Sequence, residues 1–320
     1  IFTNVHFIDH DAQGGTGFWG AVSNANSSST FTDCTYEGNS SSDSAGAVYT
    51  TGGAVVITDC TFEGNSTVTF GGAIYDVSSA STITGCVFRS NSAQNGGALA
   101  SSGSGMRLTN SAFEGNSATV RGGGLYLTGG PDPIINCSFQ GNHSDLAGGA
   151  ISNVFSTSTL INCSIQGNNA TNAGGGIDAS LPGNLTLSNS VVWNNRAAGV
   201  TNTASASIEP SGTITYLHSL AENMDLTGSG IGNLDGTDPA NDPLFVLPVD
   251  PATAPAAGGD LSLQASSPVS GRGDNALVPA GITADLAGNP RIAPFNVDLG
   301  AYELQRLGFN PTDTSASFST

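Results

Sequence analysis

Lysine is absent from the 320 residues, and seven arginines stand against 25 acidic residues, for a formal charge of −18. A chain of that sign offers no basic stripe to a phosphate backbone. The reading is therefore of no nucleic-acid partner, with cationic ligands or loosely held divalent ions better matched to it. Long apolar runs are missing as well, so no segment has the length to cross a bilayer as a helix. An initiator methionine and a signal-peptide pattern are also lacking, and Ile1 opens inside a repeat, which leads us to expect a processed or truncated piece of something longer. Glycine, by contrast, is plentiful, with 44 residues.

Seven times between residues 34 and 195 one phrase recurs: a small residue, a spacer, an apolar residue, two spacers and an asparagine. Its first positions are Cys34, Cys60, Cys86, Ser111, Cys137, Cys163 and Ser190, with steps of 26, 26, 25, 26, 26 and 27 residues. Its last positions are Asn39, Asn65, Asn91, Asn116, Asn142, Asn168 and Asn195. Looser copies run from Val5 to His10 and from His218 to Asn223. A fixed period of this size means stacked units.

Two further ladders shape the unit. Glycine pairs followed by short apolar runs, such as Gly71-Gly72-Ala73-Ile74 and Gly148-Gly149-Ala150-Ile151, read as a turn entering a strand. Three residues before each Cys position sits an apolar side chain: Phe2, Phe31, Ile57, Ile83, Leu108, Ile134, Leu160 and Leu187. An odd separation sends two side chains to opposite faces of a straight strand. The residue between them and next to the Cys position (Asn4, Asp33, Asp59, Gly85, Asn110, Asn136, Asn162, Asn189) is of the types that tolerate the left-handed region. A corner there turns both flanking side chains inward.

A unit with three short strands and such corners is one turn of a parallel β-helix, each strand pairing with its copy one coil away at about 4.8 Å. About nine or ten coils make a rod roughly 45 Å long. Residues 1–225 hold the coils, 226–306 the last coils and an irregular C-terminal cap, and 307–320 a Ser/Thr-rich linker or tail. The asparagines are expected to form a hydrogen-bonded stack that satisfies turn backbone. The five cysteines share one column, where parallel side chains do not converge as a disulfide needs, so they are expected to be buried thiols behaving as small hydrophobes.

Beyond residue 225 the period fades. Arg291 stands in sequence among Asp285, Asp298 and Glu303, an arrangement suited to a bidentate ion pair that pins the cap. Asp235, Asp238, Asn241 and Asp242 are the candidate calcium ligands, although their spacing is not that of a dedicated calcium loop; no other cofactor is expected. Asp9-His10-Asp11 has the groups of a metal or acid-base site, but His10 holds the asparagine position of the first copy, which favours a structural substitution. Arg272-Gly273-Asp274 is read as a chance tripeptide. Of eight glycosylation triplets, those at Asn26 and Asn184 lie off the ladders and are the better acceptor candidates.

The FxxN phrases (Phe62 to Asn65, Phe88 to Asn91, Phe113 to Asn116, Phe139 to Asn142) together with the Gly-Gly-Ala-Ile phrases resemble the repeats of chlamydial polymorphic outer-membrane proteins over roughly residues 1 to 225. The resemblance implies a right-handed parallel β-helix displayed on a cell surface, commonly as an adhesin. Asp285 to Arg291 and Asp298 to Glu303 resemble the C-terminal region of bacterial surface β-helix proteins of the choice-of-anchor type.

Many β-helix proteins cleave acidic polysaccharides, which takes a strong base beside an acidic calcium cluster in lyases, or paired carboxylates on neighbouring coils in hydrolases. Glu37, Glu63 and Glu114 share one repeat position, with Gln140 and Gln166 replacing them further along, which is a column weakening gradually and not a local pair. The expected function is therefore a non-catalytic structural or adhesive protein, extracellular or on a bacterial cell surface. It would meet a glycan or host-surface ligand, or assemble into a filament or sheath by end-to-end or lateral stacking. The alternative is a polysaccharide lyase or glycoside hydrolase acting in the long groove.

Overall fold

The computed structural model describes residues 1–12, 20–103, 105–180, 183–201, 203–292 and 295–305. Among the described residues it is an all-β, right-handed parallel β-helix with eight four-stranded coils and half of a ninth. Each coil contributes four strands, one more than the sequence pattern predicts, to four parallel sheets, called A to D in chain order. Sheets A and B hold nine strands and sheets C and D eight. In the third coil these strands are Val56–Thr58, Thr61–Glu63, Ser66–Thr67 and Ile74–Val77. The third is only two residues long, too short to leave an alternating pattern, so by sequence it reads as part of a turn.

The corner between sheets A and B is a single residue in the left-handed region, from Asn4 at φ 55° through Asp59 at 52° and Gly85 at 69° to Asn189 at 49°. It reverses the alternation, so Ile57 and Cys60 both point inward and are buried. The register is strict: Phe31 pairs with Ile57, Ile57 with Ile83, and Ile83 with Leu108. Between sheets C and D the glycine pairs do two different jobs. Gly96 supplies φ +66°, while a Cβ on Gly97 would overlap the carbonyl oxygen of Gly123 in the next coil.

Like residues therefore stack. Phe7, Tyr36, Phe62, Phe88, Phe113 and Phe139 form a file of near-parallel rings with centroids 4.5 to 4.9 Å apart, close to the coil spacing itself. Ile165, Val192 and Ala221 continue it toward the C-terminal end.

Two expectations are corrected. The ninth copy is displaced by one residue: Val191 pairs with Leu220, so Ser219 and not His218 stands under Ser190, and Met224 and not Asn223 falls at the asparagine position. The region after 225 is also more than an end cap. Residues 224–236 lie over the ninth coil, where Asn233 bonds Ser219 and the Tyr216 carbonyl. Residues 245–292 and 295–305 then turn back along the outside of sheet B. Val249 meets Gln166, the Asp274 backbone brackets the Asn189 side chain, Ala301 N–H donates to Ser164, and the Ala284 carbonyl accepts from Asn136. A second apolar core forms beneath this flank from Val191 and Leu220 on the rod and Phe245, Leu261, Leu263, Val269 and Leu299 above. The expected linker at 307–320 lies outside the described residues.

Candidate functional site

Asn39 through Asn195 form one continuous internal column at the corner between sheets B and C. Asn91 Nδ2 donates to Asn116 Oδ1 at 3.0 Å and to the Phe62 carbonyl at 3.0 Å. The same Asn116 oxygen accepts the Asn91 backbone N–H at 2.9 Å. Equivalent bonds repeat from Asn39 to Asn168, and His10 enters the column through its backbone N–H, which donates to Asn39 Oδ1. With Oδ1 and Nδ2 engaged in these bonds, and the seven asparagines buried, the column has no free face for a ligand.

Cys34, Cys60, Cys86, Cys137 and Cys163 are buried and unpaired as disulfides. They are more than small hydrophobes. Cys34 N–H donates to the Cys60 sulfur at 3.3 Å, and the Cys60 thiol donates to the Thr58 carbonyl at 3.2 Å. Where serine takes the position the same two bonds appear: Cys163 N–H donates to Ser190 Oγ, which donates to the Ser188 carbonyl. Burial pushes the Cys86 and Cys137 thiols well up and Cys163 to about 12, so these sulfurs stay protonated and inert.

Arg291 is fully buried within the flank. The expected bidentate pair is not formed. Its Nε lies 3.3 Å from Glu303 Oε1, near enough for an ion pair but without the alignment of a hydrogen bond, and Nη2 donates to the Gly300 carbonyl at 2.6 Å. Asp285 and Asp298 instead accept backbone N–H groups: Ala287, Asn289 and Glu303 bond the former, Gly271 and Leu304 the latter. Burial raises Glu303 to about 8 despite the nearby guanidinium, and burial also lowers Arg291. This is a folding knot for the flank, with no opening to solvent at the arginine.

The candidate calcium ligands are not gathered. Asp235 accepts from Thr237, Asp238 caps the short helix at Pro239–Asn241, Asn241 donates to the Asp235 carbonyl, and Asp242 accepts from Leu244. Each side chain closes its own turn, and among the described residues no group of three or more His, Cys, Asp or Glu side chains is placed to hold a metal ion. Asn26 and Asn184 are both exposed, off the internal columns. In Arg272-Gly273-Asp274 the glycine is buried against Val297 and Asp274 caps the turn at Asn275–Leu277, so the tripeptide is not presented as a free loop.

Three outward features carry surface chemistry. On sheet B the column runs Glu37, Glu63, Arg89, Glu114, Gln140, Gln166 and Trp193. Arg89, passed over by the sequence reading, ties Glu114 at 3.0 Å and Glu63 at 4.0 Å. On sheet D, Tyr49, Tyr75 and Tyr126 stand outward on separate coils and Phe70 lies across them, 5.1 Å from Tyr75 and 6.1 Å from Tyr126. Arg121, paired with Asp178, borders this aromatic strip. The third feature is a cleft of about 550 Å³ between the eighth coil and the flank, lined in part by Trp193, Glu222 and Asp242.

No helix is long and apolar enough to cross a membrane among the described residues. No curated protein and no solved structure matches the chain. A family model described as a right handed beta helix region matches residues 67–215, from the third coil to the start of the ninth, and over that span the chain is similar to β-helix repeat proteins.

Proposed function

We propose that this chain is a non-catalytic structural and adhesive β-helix working outside the cell or on its surface, and that it meets a glycan through the outer face of sheet D. The aromatic strip of Tyr49, Phe70, Tyr75 and Tyr126 carries this reading. Phe70, Tyr75 and Tyr126 are partly exposed and Tyr49 is buried at their end, so the cluster offers a rigid aromatic surface suited to the C–H faces of sugar units, while the partly exposed Arg121, held by the buried Asp178, supplies a charged donor for hydroxyls. A rigid rod fixes that surface without ordering cost at the moment of binding.

The charge of −18 narrows the ligand. Uronate polymers are repelled over the whole surface, whereas neutral or amino-bearing glycans are not. The same argument weighs against a lyase, whose substrates are acidic. A glycan array probed with the wild-type chain and with Tyr75→Ala/Tyr126→Ala tests the reading, alongside incubation with uronic-acid polymers. Binding to neutral glycans that the double variant loses is expected. Defined cleavage products would replace this reading with an enzymatic one.

A further inference from the structure

The cleft at the foot of the flank has a lining that neither the internal columns nor the sheet D strip explains. Trp193 ends the outward column of sheet B and is half-buried beside Leu244 and Phe245 of the returning chain. Glu222 Oε2 accepts the Asn194 N–H at 2.8 Å, and Asp242 Oδ1 accepts the Leu244 N–H at 2.9 Å. Each carboxylate thus has one oxygen fixed by backbone and a second one left to a ligand. Neither is in an ion pair among the described residues. The volume of about 550 Å³ is that of a small-molecule site.

We propose that this cleft binds an organic cation, an ammonium group on an apolar chain or ring, with its charge between Glu222 and Asp242 and its carbon body against Trp193, Leu244 and Phe245. Charge decides the class. Two carboxylates in one partly buried cleft repel each other, and a cation relieves this where a neutral ligand does not. Burial first, and the charge of Asp242 after it, raises the proton affinity of Glu222, the expected signature of anions held without a counter-charge. An indole face is the best aromatic partner for a cation, and desolvation beneath the flank strengthens the contact. Anionic ligands are excluded by the same groups. The site is separate from the sheet D strip, so it stands whether or not that strip binds glycan.

Fluorescence of Trp193 in a Trp19→Phe background, which leaves it the sole indole, gives the readout. Cadaverine and phenethylamine are the probes, with a neutral tetrasaccharide as the competing chemistry. We expect saturable amine binding that weakens as salt is added and that falls by at least about ten-fold in Glu222→Gln/Asp242→Asn. Both amides keep the oxygen that accepts the backbone N–H, and a circular-dichroism melt matching the parent confirms that the double variant is folded. Absence of a saturable amine response, amine binding indifferent to salt and to the double substitution, or binding of the tetrasaccharide in place of the amines would each overturn the assignment.

Discussion

Asn65 and Asn91 lie one coil apart with a single oxygen joining them: Oδ1 of Asn91 accepts both the backbone N–H and the side-chain Nδ2 of Asn65, each at 2.9 Å. One amide therefore closes the turn of its neighbour while its own Nδ2 reaches the Asn116 oxygen and the Phe62 carbonyl. Repeated through the rod, this turns a corner where no strand ladder runs into a hydrogen-bonded file.

Replacing Asn91 with leucine deletes an acceptor of two bonds and a donor of two, all buried. The Asn65 N–H and the Phe62 carbonyl lose this partner and the Asn116 oxygen keeps only the backbone N–H of residue 91, all where water cannot reach, so a loss of at least about 3 kcal/mol is expected. Urea unfolding followed by circular dichroism measures it. Asn91→Asp keeps the acceptor but not the donor, and a smaller loss from that variant would separate the two halves of the bond.

The cysteine column behaves differently because serine already stands in it. Cys137→Ser is expected to cost less than about 1 kcal/mol, since Ser111 and Ser190 make the same two bonds from this position. Cys137→Ala, which removes the donor and the acceptor, is expected to cost more. In the native chain all five thiols should resist a disulfide-exchange reagent until the rod unfolds, because each is buried and free.

The rod was legible in the sequence because like residues stack on like. Phe62, Phe88 and Phe113 repeat for the same reason that their rings touch. What failed to show has local causes. Most sheet C strands, Ser66–Thr67 among them, are two residues long and leave no alternation. In the ninth copy Asn223 drew the register to itself, although Ser219 holds the bond that defines the position. The flank left a trace that read as decay: on sheet B the position of Glu63 and Glu114 becomes Gln140 and Gln166, while that of Thr61 passes through Ser138 and Ser164 and ends in Val191 and Leu220. Charge disappears where the chain returns to cover these coils, and apolar surface follows at the last two. The cleft was out of reach, because Trp193, Glu222 and Asp242 meet only once that return is known.

Acidity should stabilise this protein through at least two carboxyls. Asp132, buried and accepting from Met106 N–H and Ser101, is raised to about 7, chiefly by burial. Glu303 is raised to about 8. A carboxyl raised on folding holds a proton that the unfolded chain releases above about pH 4, so stability falls as pH climbs from 4 through the folded value and then levels off. Asp132→Asn keeps the acceptor for Met106 and removes the charge. Its stability should exceed that of the parent at pH 8, by up to about 4 kcal/mol, and the gap should close toward pH 4. Melting temperatures across that range give the slope, and a gap that widened in acid would refute the assignment.

Arg291 tests how the flank is held. Its side chain is buried, with Glu303 as its ion-pair partner and the Asp298 and Gly300 carbonyls as acceptors. Its removal leaves those two buried carbonyls without their donor, at roughly 1 to 3 kcal/mol each, while Glu303, already raised to about 8, takes up a proton. Arg291→Ala should therefore loosen residues 245–292 and 295–305 while the stacked coils persist, because the asparagine and phenylalanine files make no bond to this arginine. Limited proteolysis is expected to cut the variant within the flank and spare the repeats. Arg291→Ala combined with Glu303→Gln should recover part of the loss in alkaline solution, where holding the proton on the Glu303 carboxyl without its arginine is most costly. Proteolysis that consumed the repeats as fast as the flank would show that rod and flank fold as one unit, and that the second apolar core at Val191 and Leu220 is needed by both.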